Sequence, residues 1–472
     1  MRKKKGFKLP HTLVLIYLLV IAVYILSLVI PSGEFKREEK VFQGQSKLIT
    51  VPGTYTVMEK NLLGPQWLLI APIRGFEDGA LIIILIFIFG GAFAILGRTG
   101  AIESGIQRLA QFFSRNRRSQ KFVIPALMIV FSLAGGVYGM AEESIPFVLI
   151  FIPLALSLGY DSIVGVAIPF LASAVGFAAA FFNPFTVGIA QGFSDLPLYS
   201  GLTYRLILWV IGTVIAIIFV VRYAEKIRKF PEKSPVFELD KTRDYSGVKD
   251  RSEDPPPWGA AQKIIILVLL GGIVLLIYGI LAESWYMEEI AALFLAIGLI
   301  SGFIGRIPPS EMATSFIAGA KDVMNVTLII AGGRAILIIL NEAVVLDTIL
   351  QSMAGVISAV PNIATAHMMF FTQAIINFFI HSGTAQAALT MPIMAPLSDL
   401  VGITRQTTVL AFQMCEVINP ILPTSAVTMG VLGVARIPWE KWAKWFLPLM
   451  IVLIVFSLIS LIPPILMNWG PF

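Results

Sequence analysis

Cysteine occurs once in the 472 residues, at Cys415, which excludes a disulfide framework and a thiolate metal site. Histidine occurs three times (His11, His367 and His381), with no metal-ligand spacing among the three. Charge is scarce. Asp, Glu, Lys and Arg make up 14% of the chain, whereas soluble domains carry about a quarter. That scarcity excludes an ordinary soluble enzyme, a disordered chain and a nucleic-acid binder. A Gly-x-x-x-x-Gly-Lys-Ser/Thr stretch is also missing, so ATP is not expected to drive the protein. An intramembrane hydrolase would need a nucleophile–base or metal set, and His367 and His381 are not spaced for one. The expectation is therefore a non-enzyme, with no cofactor beyond a coupling Na⁺ or H⁺.

Apolar residues are what the chain has in excess, at 57%. Runs near 20 residues recur along it, the length that crosses a bilayer as a helix. They fall near 13–30, 79–97, 121–138, 144–158, 161–192, 203–223, 262–282, 286–304, 323–340, 364–381, 387–400, 404–430 and 445–467. The fold expected is an all-α polytopic membrane protein whose partner is the lipid bilayer. Met1-Arg2-Lys3-Lys4-Lys5 precedes an apolar run too long for a signal peptide, with no small-x-small cleavage site at its end, so an uncleaved first span is expected.

Basic residues set the expected topology. Arg98, Arg108, Arg115, Arg117, Arg118 and Lys121 mark one cytoplasmic loop. Arg222, Lys226, Arg228 and Lys229 mark a second, and Arg436, Lys441 and Lys444 a third. Phe35–Asn61 and the Lys- and Arg-free Asn341–Thr365 are then external loops. The net charge of +6 thus reports orientation rather than an anionic partner. The N-terminus is expected in the cytoplasm.

Self-comparison finds an internal repeat. Gly90-Gly91 recurs as Gly332-Gly333, and Thr99-x-Ala101-Ile102 as Asn341-x-Ala343-Val344, both at an offset of 242. Pro153 and Gly159 recur as Pro396 and Gly402 at 243. One of the equivalent loops is Arg-rich and the other free of Lys and Arg, so the repeats should be inverted, as in many secondary transporters. The expected organisation is a first membrane repeat over 1–224, a cytoplasmic linker over 225–260 and a second repeat over 261–472. Each repeat should hold a re-entrant helical hairpin (about 121–158 and 364–400). Each should also hold a helix broken at Asn-Pro (about 161–192 and 404–430).

The candidate site follows from these breaks. The first tip carries Gly139-Met140-Ala141-Glu142-Glu143-Ser144, and the second Ser382-Gly383-Thr384-Ala385-Gln386-Ala387. Small residues there free peptide groups for a ligand where they line protein or water. Proline removes a helical hydrogen bond, so Asn183-Pro184-Phe185-Thr186 and Asn419-Pro420-Ile421-Leu422-Pro423-Thr424-Ser425 cluster carbonyls with side-chain oxygens. Ionisable residues at membrane depth are costly and mark function. Glu142, Glu143 and Glu416 are three such carboxylates, with Arg334 and His381 as supporting groups. An Arg334–Glu416 ion pair is one expected arrangement. The substrate-binding candidates are Glu142, Glu143, Ser144, Asn183, Thr186, Ser382, Gly383, Thr384, Gln386, Glu416, Asn419, Thr424 and Ser425. A Na⁺ near Asn183, Asn419 and Ser382 is the metal candidate. Three carboxylates against one guanidinium suit a cationic amino acid, whose α-carboxylate could meet a half-helix N-terminus. They equally suit a coupling Na⁺ or proton.

Ser382 to Pro392 resembles the Ser-Asn-Thr hairpin tip and downstream proline of the ion-transporter superfamily. Taken with Gly139–Phe147, Gln191-Gly192 and Asn419-x-x-x-Pro423-Thr424-Ser425, the chain resembles the YfcC branch of the C4-dicarboxylate anaerobic carrier family over nearly its whole length. The resemblance implies a homodimer in a bacterial inner membrane, each protomer having a scaffold and a mobile part that moves as an elevator. It also implies exchange of a basic amino acid, arginine against ornithine. The superfamily's tip Asn is Gly383 here, and the first tip lacks the motif, a departure from a two-Na⁺ site. The alternatives are a Na⁺- or H⁺-coupled carrier of C4-dicarboxylates or other organic anions, with Arg334 facing the substrate, and a non-transporting membrane sensor.

Overall fold

The computed structural model describes residues 12–470, apart from 43–44, 52, 103, 106–107, 109–116, 244–257, 284, 286 and 359–361. The basic N-terminus, Arg115 and the Pro255-Pro256-Pro257 end of the linker lie outside the described residues.

The chain is mostly helical. Thr12–Val29 (α1) leads to two short antiparallel pairings where an external loop was expected. Arg37–Phe42 (β2) pairs with Gln45–Thr50 (β3), and Gly33–Glu34 (β1) pairs with Thr56–Val57 (β4). Val41, Phe42, Ile49 and Thr50 are residues that favour strands, and the chain is not wholly α.

Trp67–Asp78 (α2) is followed at once by Ala80–Arg98 (α3). In the second half, Pro309–Asp322 (α13) is followed by Met324–Glu342 (α14), bent by 47°. These four pack reciprocally, α2 on α14 and α3 on α13. Glycine makes that possible. A Cβ on Gly90 would lie 2.5 Å from the Gly319 carbonyl, and one on Gly75 would lie 2.1 Å from the Ala331 carbonyl. Small residues at such crossings let membrane helices approach backbone to backbone. Met287–Ile304 (α12), preceded by Ala260–Glu283 (α11), packs along α3 through Phe294, whose ring centroid is 4.9 Å from that of Phe89.

The remaining elements carry the turns and breaks. Arg117–Tyr138 (α4) and Ser144–Ser157 (α5) face each other through Phe131, which meets Phe147 and Phe151 edge-on. Ser162–Val166 (α6) opens into a wide turn over Ala167–Leu171 and then Ala172–Ala178 (α7). Pro169 lacks the N–H that would close an ordinary turn there. After a break, the chain resumes at Pro184 and runs into Ile189–Phe193 (α8). Leu202–Lys229 (α9) is a single helix of 28 residues. Phe237–Thr242 (α10) belongs to the linker, which is strapped down: Ser162 donates its N–H to Asp240 at 2.9 Å, and Lys441 reaches the Pro235 carbonyl at 2.6 Å.

The second half continues with Leu346–Ser358 (α15), Asn362–Phe379 (α16), Gly383–Leu400 (α17) and Arg405–Met414 (α18). A tightened stretch, Cys415–Ile421, follows, and then Ala426–Val434 (α19) and Trp439–Leu466 (α20). Four of these starts are capped by a side-chain oxygen accepting the amide three residues on, in the usual N-cap manner. The caps are Asp161 to Val164 (3.0 Å), Ser382 to Ala385 (3.4 Å), Thr404 to Thr407 (3.2 Å) and Ser425 to Thr428 (3.3 Å).

Among the described residues, five helices or composite helices are long and apolar enough to cross a membrane: Ala80–Arg98, Leu202–Lys229, Met287–Ile304, Arg405–Val434 and Trp439–Leu466. Several carry an exposed apolar stripe, such as Ile207, Val210, Val214 and Ile218 on α9 and Ile451, Val455 and Ile459 on α20. In water such stripes would be an aggregation liability. In a bilayer they meet lipid, because helices satisfy their own backbone groups. The chain is therefore a multi-pass membrane protein.

Candidate functional site

Both turns and both breaks contribute to one buried junction. At the first turn, Gly139 takes φ +79°, a conformation side chains rarely adopt. A Cβ there would also lie 2.8 Å from the Asn183 amide. The turn is closed by its own polar groups. Glu143 accepts the Ala141 N–H at 2.9 Å, and the Ser144 hydroxyl donates to the Ala141 carbonyl at 2.6 Å. Glu143 and Ser144 are buried, and Glu142 is half-buried and close enough to act on Glu143 through its charge.

At the first break, Asn183 is extended (ψ 114°), as a residue before proline prefers. Its Oδ1 accepts the Phe185 N–H at 2.9 Å. Among the described residues, its Nδ2 and the neighbouring Thr186 Oγ1 are buried with no hydrogen-bond partner. The second turn seats directly on this break. Thr384 donates its hydroxyl to the Phe185 carbonyl at 2.8 Å. A Cβ on Gly383 would lie 2.5 Å from Thr186 Cγ2 and 3.6 Å from a Glu416 oxygen.

The second turn is shorter than the sequence suggested. Ser382 is the cap and α17 starts at Gly383, so Thr384 and Gln386 belong to its first turns. Gln386 instead joins an amide network. It donates to the Gln373 carbonyl oxygens, backbone at 2.9 Å and side chain at 2.8 Å, and Gln373 donates to Thr390 at 3.0 Å.

Asn377 ties that network to the second break. Its Nδ2 donates to Gln386 Oε1 at 3.0 Å and to Glu416 Oε1 at 3.1 Å. Asn419 donates to Glu416 Oε2 at 3.0 Å. Glu416 is 2% exposed, a burial that an ionised carboxylate tolerates only with such partners. Each hydrogen bond to a charged group contributes about 1.5–3 kcal/mol. Gln413, one helical turn before Glu416, donates to the Phe177 carbonyl at 2.5 Å and so bridges to the first broken helix. Asn377 Oδ1 and Gln413 Oε1 are buried without partners among the described residues.

Not every freed carbonyl is available. The indoles of Trp442 and Trp439 donate to the Pro420 and Ile421 carbonyls at 2.7 and 2.8 Å, and the Thr428 hydroxyl donates to that of Asn419 at 2.9 Å. Ser425 spends its oxygen on capping α19.

Arg334 does not pair with Glu416. It pairs with Asp78 at 3.3 Å, while the amides of Asn377 and Asn419 hold Glu416. The cause is the packing of α2 on α14, which brings the end of α2 beside Arg334. Arg334 is near enough to act electrostatically on Glu142 and on His381. Thr424 donates its hydroxyl to the Phe378 carbonyl at 3.0 Å, so His381 Nε2, 2.7 Å away, is the donor to Thr424 Oγ1.

Gln373, Asn377 and Gln413 were not among the sequence candidates. Their spacing held a signal: Gln373 and Asn377 are i, i+4 on one helix, and Gln413 and Glu416 are i, i+3. An apolar recess of about 350 Å³ lies elsewhere, between α3, α12 and α13, and carries none of these groups.

Two helix breaks and two turns between short helices, meeting in a buried polar junction inside a multi-pass membrane chain, define a membrane transporter. The C4-dicarboxylate anaerobic carrier (DcuC) family matches residues 9–465, and the chain belongs to that family. It is 36% identical over 468 residues to an Escherichia coli (strain K12) protein named "Putative basic amino acid antiporter YfcC", covering 92% of this chain and 91% of that one. It is 27% identical over 452 residues to an uncharacterised Haemophilus influenzae protein, covering 87% of this chain and 88% of that one. Among solved structures, the YdaH transporter of Alcanivorax borkumensis aligns at 16% identity and TM-score 0.42, over 98% of this chain and all of that one. Neisseria gonorrhoeae MtrF, from a class of antimetabolite efflux pumps, aligns at 18% identity and TM-score 0.42, over 98% and 95%. Neither is close enough for its arrangement to be transferred.

Proposed function

We propose that the chain is a secondary transporter of a bacterial inner membrane that exchanges a basic amino acid, arginine against ornithine, at the junction of the two breaks. The carrying observation is the composition of that junction. Glu416, Asn377 Oδ1 and Gln413 Oε1 offer acceptors to an ammonium or guanidinium, and Asn183 Nδ2 offers a buried donor to a carboxylate. An amino acid with a cationic side chain carries both kinds of group. The name of the E. coli relative supports the same class.

Alternating access is by an elevator in this reading. The scaffold is α2–α3 with α13–α14, and the mobile part holds α4–α8 and α16–α19. The recurrence of element order supports inverted repeats: α2–α3 and α13–α14, α4–α5 and α16–α17, then two broken helices, each followed by a 28-residue helix. The reciprocal packing of α2 on α14 and α3 on α13 supports a two-fold relation between them. The functional unit is a homodimer with its N-termini in the cytoplasm. A coupling Na⁺ would sit near Asn183, Asn419 and Ser382, and a coupling proton would use Glu416 or Glu143.

Counterflow tests the reading. Proteoliposomes loaded with unlabelled arginine are expected to accumulate labelled arginine and ornithine, and labelled succinate is expected to stay outside. Succinate uptake without arginine or ornithine uptake would instead establish an organic-anion carrier. The family's C4-dicarboxylate description favours that second reading. Arg334, half-exposed near Glu142, would then bind the anion.

A further inference from the structure

Arg205 lies in the first turn of α9 and is 1% exposed, yet its Nε, Nη1 and Nη2 all lack a hydrogen-bond partner among the described residues. The Trp469 ring lies 5.8 Å from its Cζ. The polar side chains packed around Gly201, at the start of the same helix, are neutral amides and a hydroxyl. Gln191 donates to Gln406 Oε1 at 3.2 Å, and Gln406 donates to Ser200 Oγ at 3.0 Å. A Cβ on Gly201 would lie 2.6 Å from Gln406 Nε2 and 2.4 Å from Trp469 Cζ2, so this cluster packs tightly against the start of α9. The carboxylates of Asp195 and Asp399 are held by Arg405 at 2.9 and 2.8 Å. No side chain caps the N-terminus of α9.

A buried guanidinium without a counter-charge is among the most expensive arrangements a protein can hold. Buried unsatisfied groups of this kind in native folds point to an unseen water or ion. Water can accept its hydrogen bonds but does not neutralise it. The uncapped amides of the same helix end also favour negative charge. We propose that Arg205 and the N-terminus of α9 hold a chloride-sized monovalent anion that clamps the start of α9 to the end of α20. The Thr404 hydroxyl donates to the Trp469 carbonyl at 2.8 Å and holds the tryptophan over the site. At 1% exposure, Arg205 is out of reach of a phosphate-bearing lipid headgroup. The site is separate from the Glu416 junction, so the anion is a resident ligand rather than cargo.

Thermal unfolding of the purified full chain tests this, in sodium chloride against sodium gluconate at constant ionic strength. Chloride and bromide are expected to raise Tm saturably by several degrees, and gluconate and sulfate to leave it unchanged. Arg205→Met is expected to abolish the difference between the salts. Equal melting of the wild type in chloride and gluconate, or an undiminished chloride shift in Arg205→Met, would overturn the proposal. If the variant does not fold, bromide-soaked crystals of the unmodified protein decide. An anomalous peak against the Arg205 guanidinium supports the site, and bromide peaks found only elsewhere overturn it.

Discussion

Gly383 shapes the junction through what it lacks, because the missing Cβ lets the second turn press onto the first break. Its missing Cβ would stand 2.5 Å from Thr186 Cγ2. Overpacking a tight contact of this kind costs about 1–3 kcal/mol. Gly383→Ala is therefore expected to cut substrate uptake into proteoliposomes roughly tenfold, with little loss of Tm if the turn shifts instead of unfolding. Thr186→Ser removes the opposing methyl, so the double variant should recover most of the uptake. Uptake unchanged in Gly383→Ala, or unrescued in the double variant, would show that this contact does not shape the site. At this scale the sequence singled out polar residues in apolar runs but not their pairings. Glu416 and Gln386 stand out as polar residues in apolar runs, whereas their partners Asn377 and Gln373 are ordinary amides until α16 and α17 fold side by side. The Arg334–Asp78 pair was not legible, because the two residues are far apart in the chain and meet only through α2 and α14.

Helices that read as apolar runs were found to within a few residues, as with Ala80–Arg98 and Met287–Ile304. The amphipathic ones were not. Trp67–Asp78, Pro309–Asp322 and Leu346–Ser358 carry polar residues on one side, which breaks up the run that a span search detects. Yet α2 and α13 hold the bundle together through glycine. Gly319→Ala would place a methyl 2.1 Å from the Gly90 carbonyl, a backbone atom that no rotamer change can move. It is expected to lower stability by about 1–3 kcal/mol, read as a fall in Tm. Gly97→Ala on α3 meets nothing within 4 Å and should be neutral or slightly stabilising. Equal effects of the two would mean that the α3–α13 crossing is looser than described. The linker end of α6 offers a second case. Asp161 caps α6 and also accepts the hydroxyls of Tyr223 and Ser234. Asp161→Ala is expected to cost about 1–3 kcal/mol through the lost cap and two stranded hydroxyls, read as a lower Tm. An unchanged Tm would show that the strap and cap are dispensable.

Over the whole molecule, polar contacts between distant loops fall into two sets. One joins Arg98 to Glu311, Arg436 to Asp322 and Arg243 to the Arg436 carbonyl. The other joins Arg37 to Asp347, Asn61 to the Glu342 carbonyl, and Arg405 to Asp195 and Asp399. The two sets share no residue. Isolated exposed pairs contribute about 0–1 kcal/mol each, so they add little to stability. Thr56→Cys is expected to react with a membrane-impermeant maleimide in intact spheroplasts, and Glu232→Cys only after permeabilisation. The reverse pattern would invert the orientation that the basic loops suggest.

Composition and run length alone determined that this is a helical membrane protein, because a bilayer imposes its thickness and its intolerance of charge on any chain that crosses it. Proline, glycine and their spacing located the two breaks and the two turns, since those residues act on the backbone locally. Only the tertiary structure decided what the breaks meet. It seats Gly383 on Thr186, holds Glu416 between Asn377 and Asn419, pairs Arg334 with Asp78, and buries Arg205 without a partner among the described residues. Each of these depends on which side chains two distant segments present to each other once packed. That is a property of the folded core and not of any one stretch of sequence.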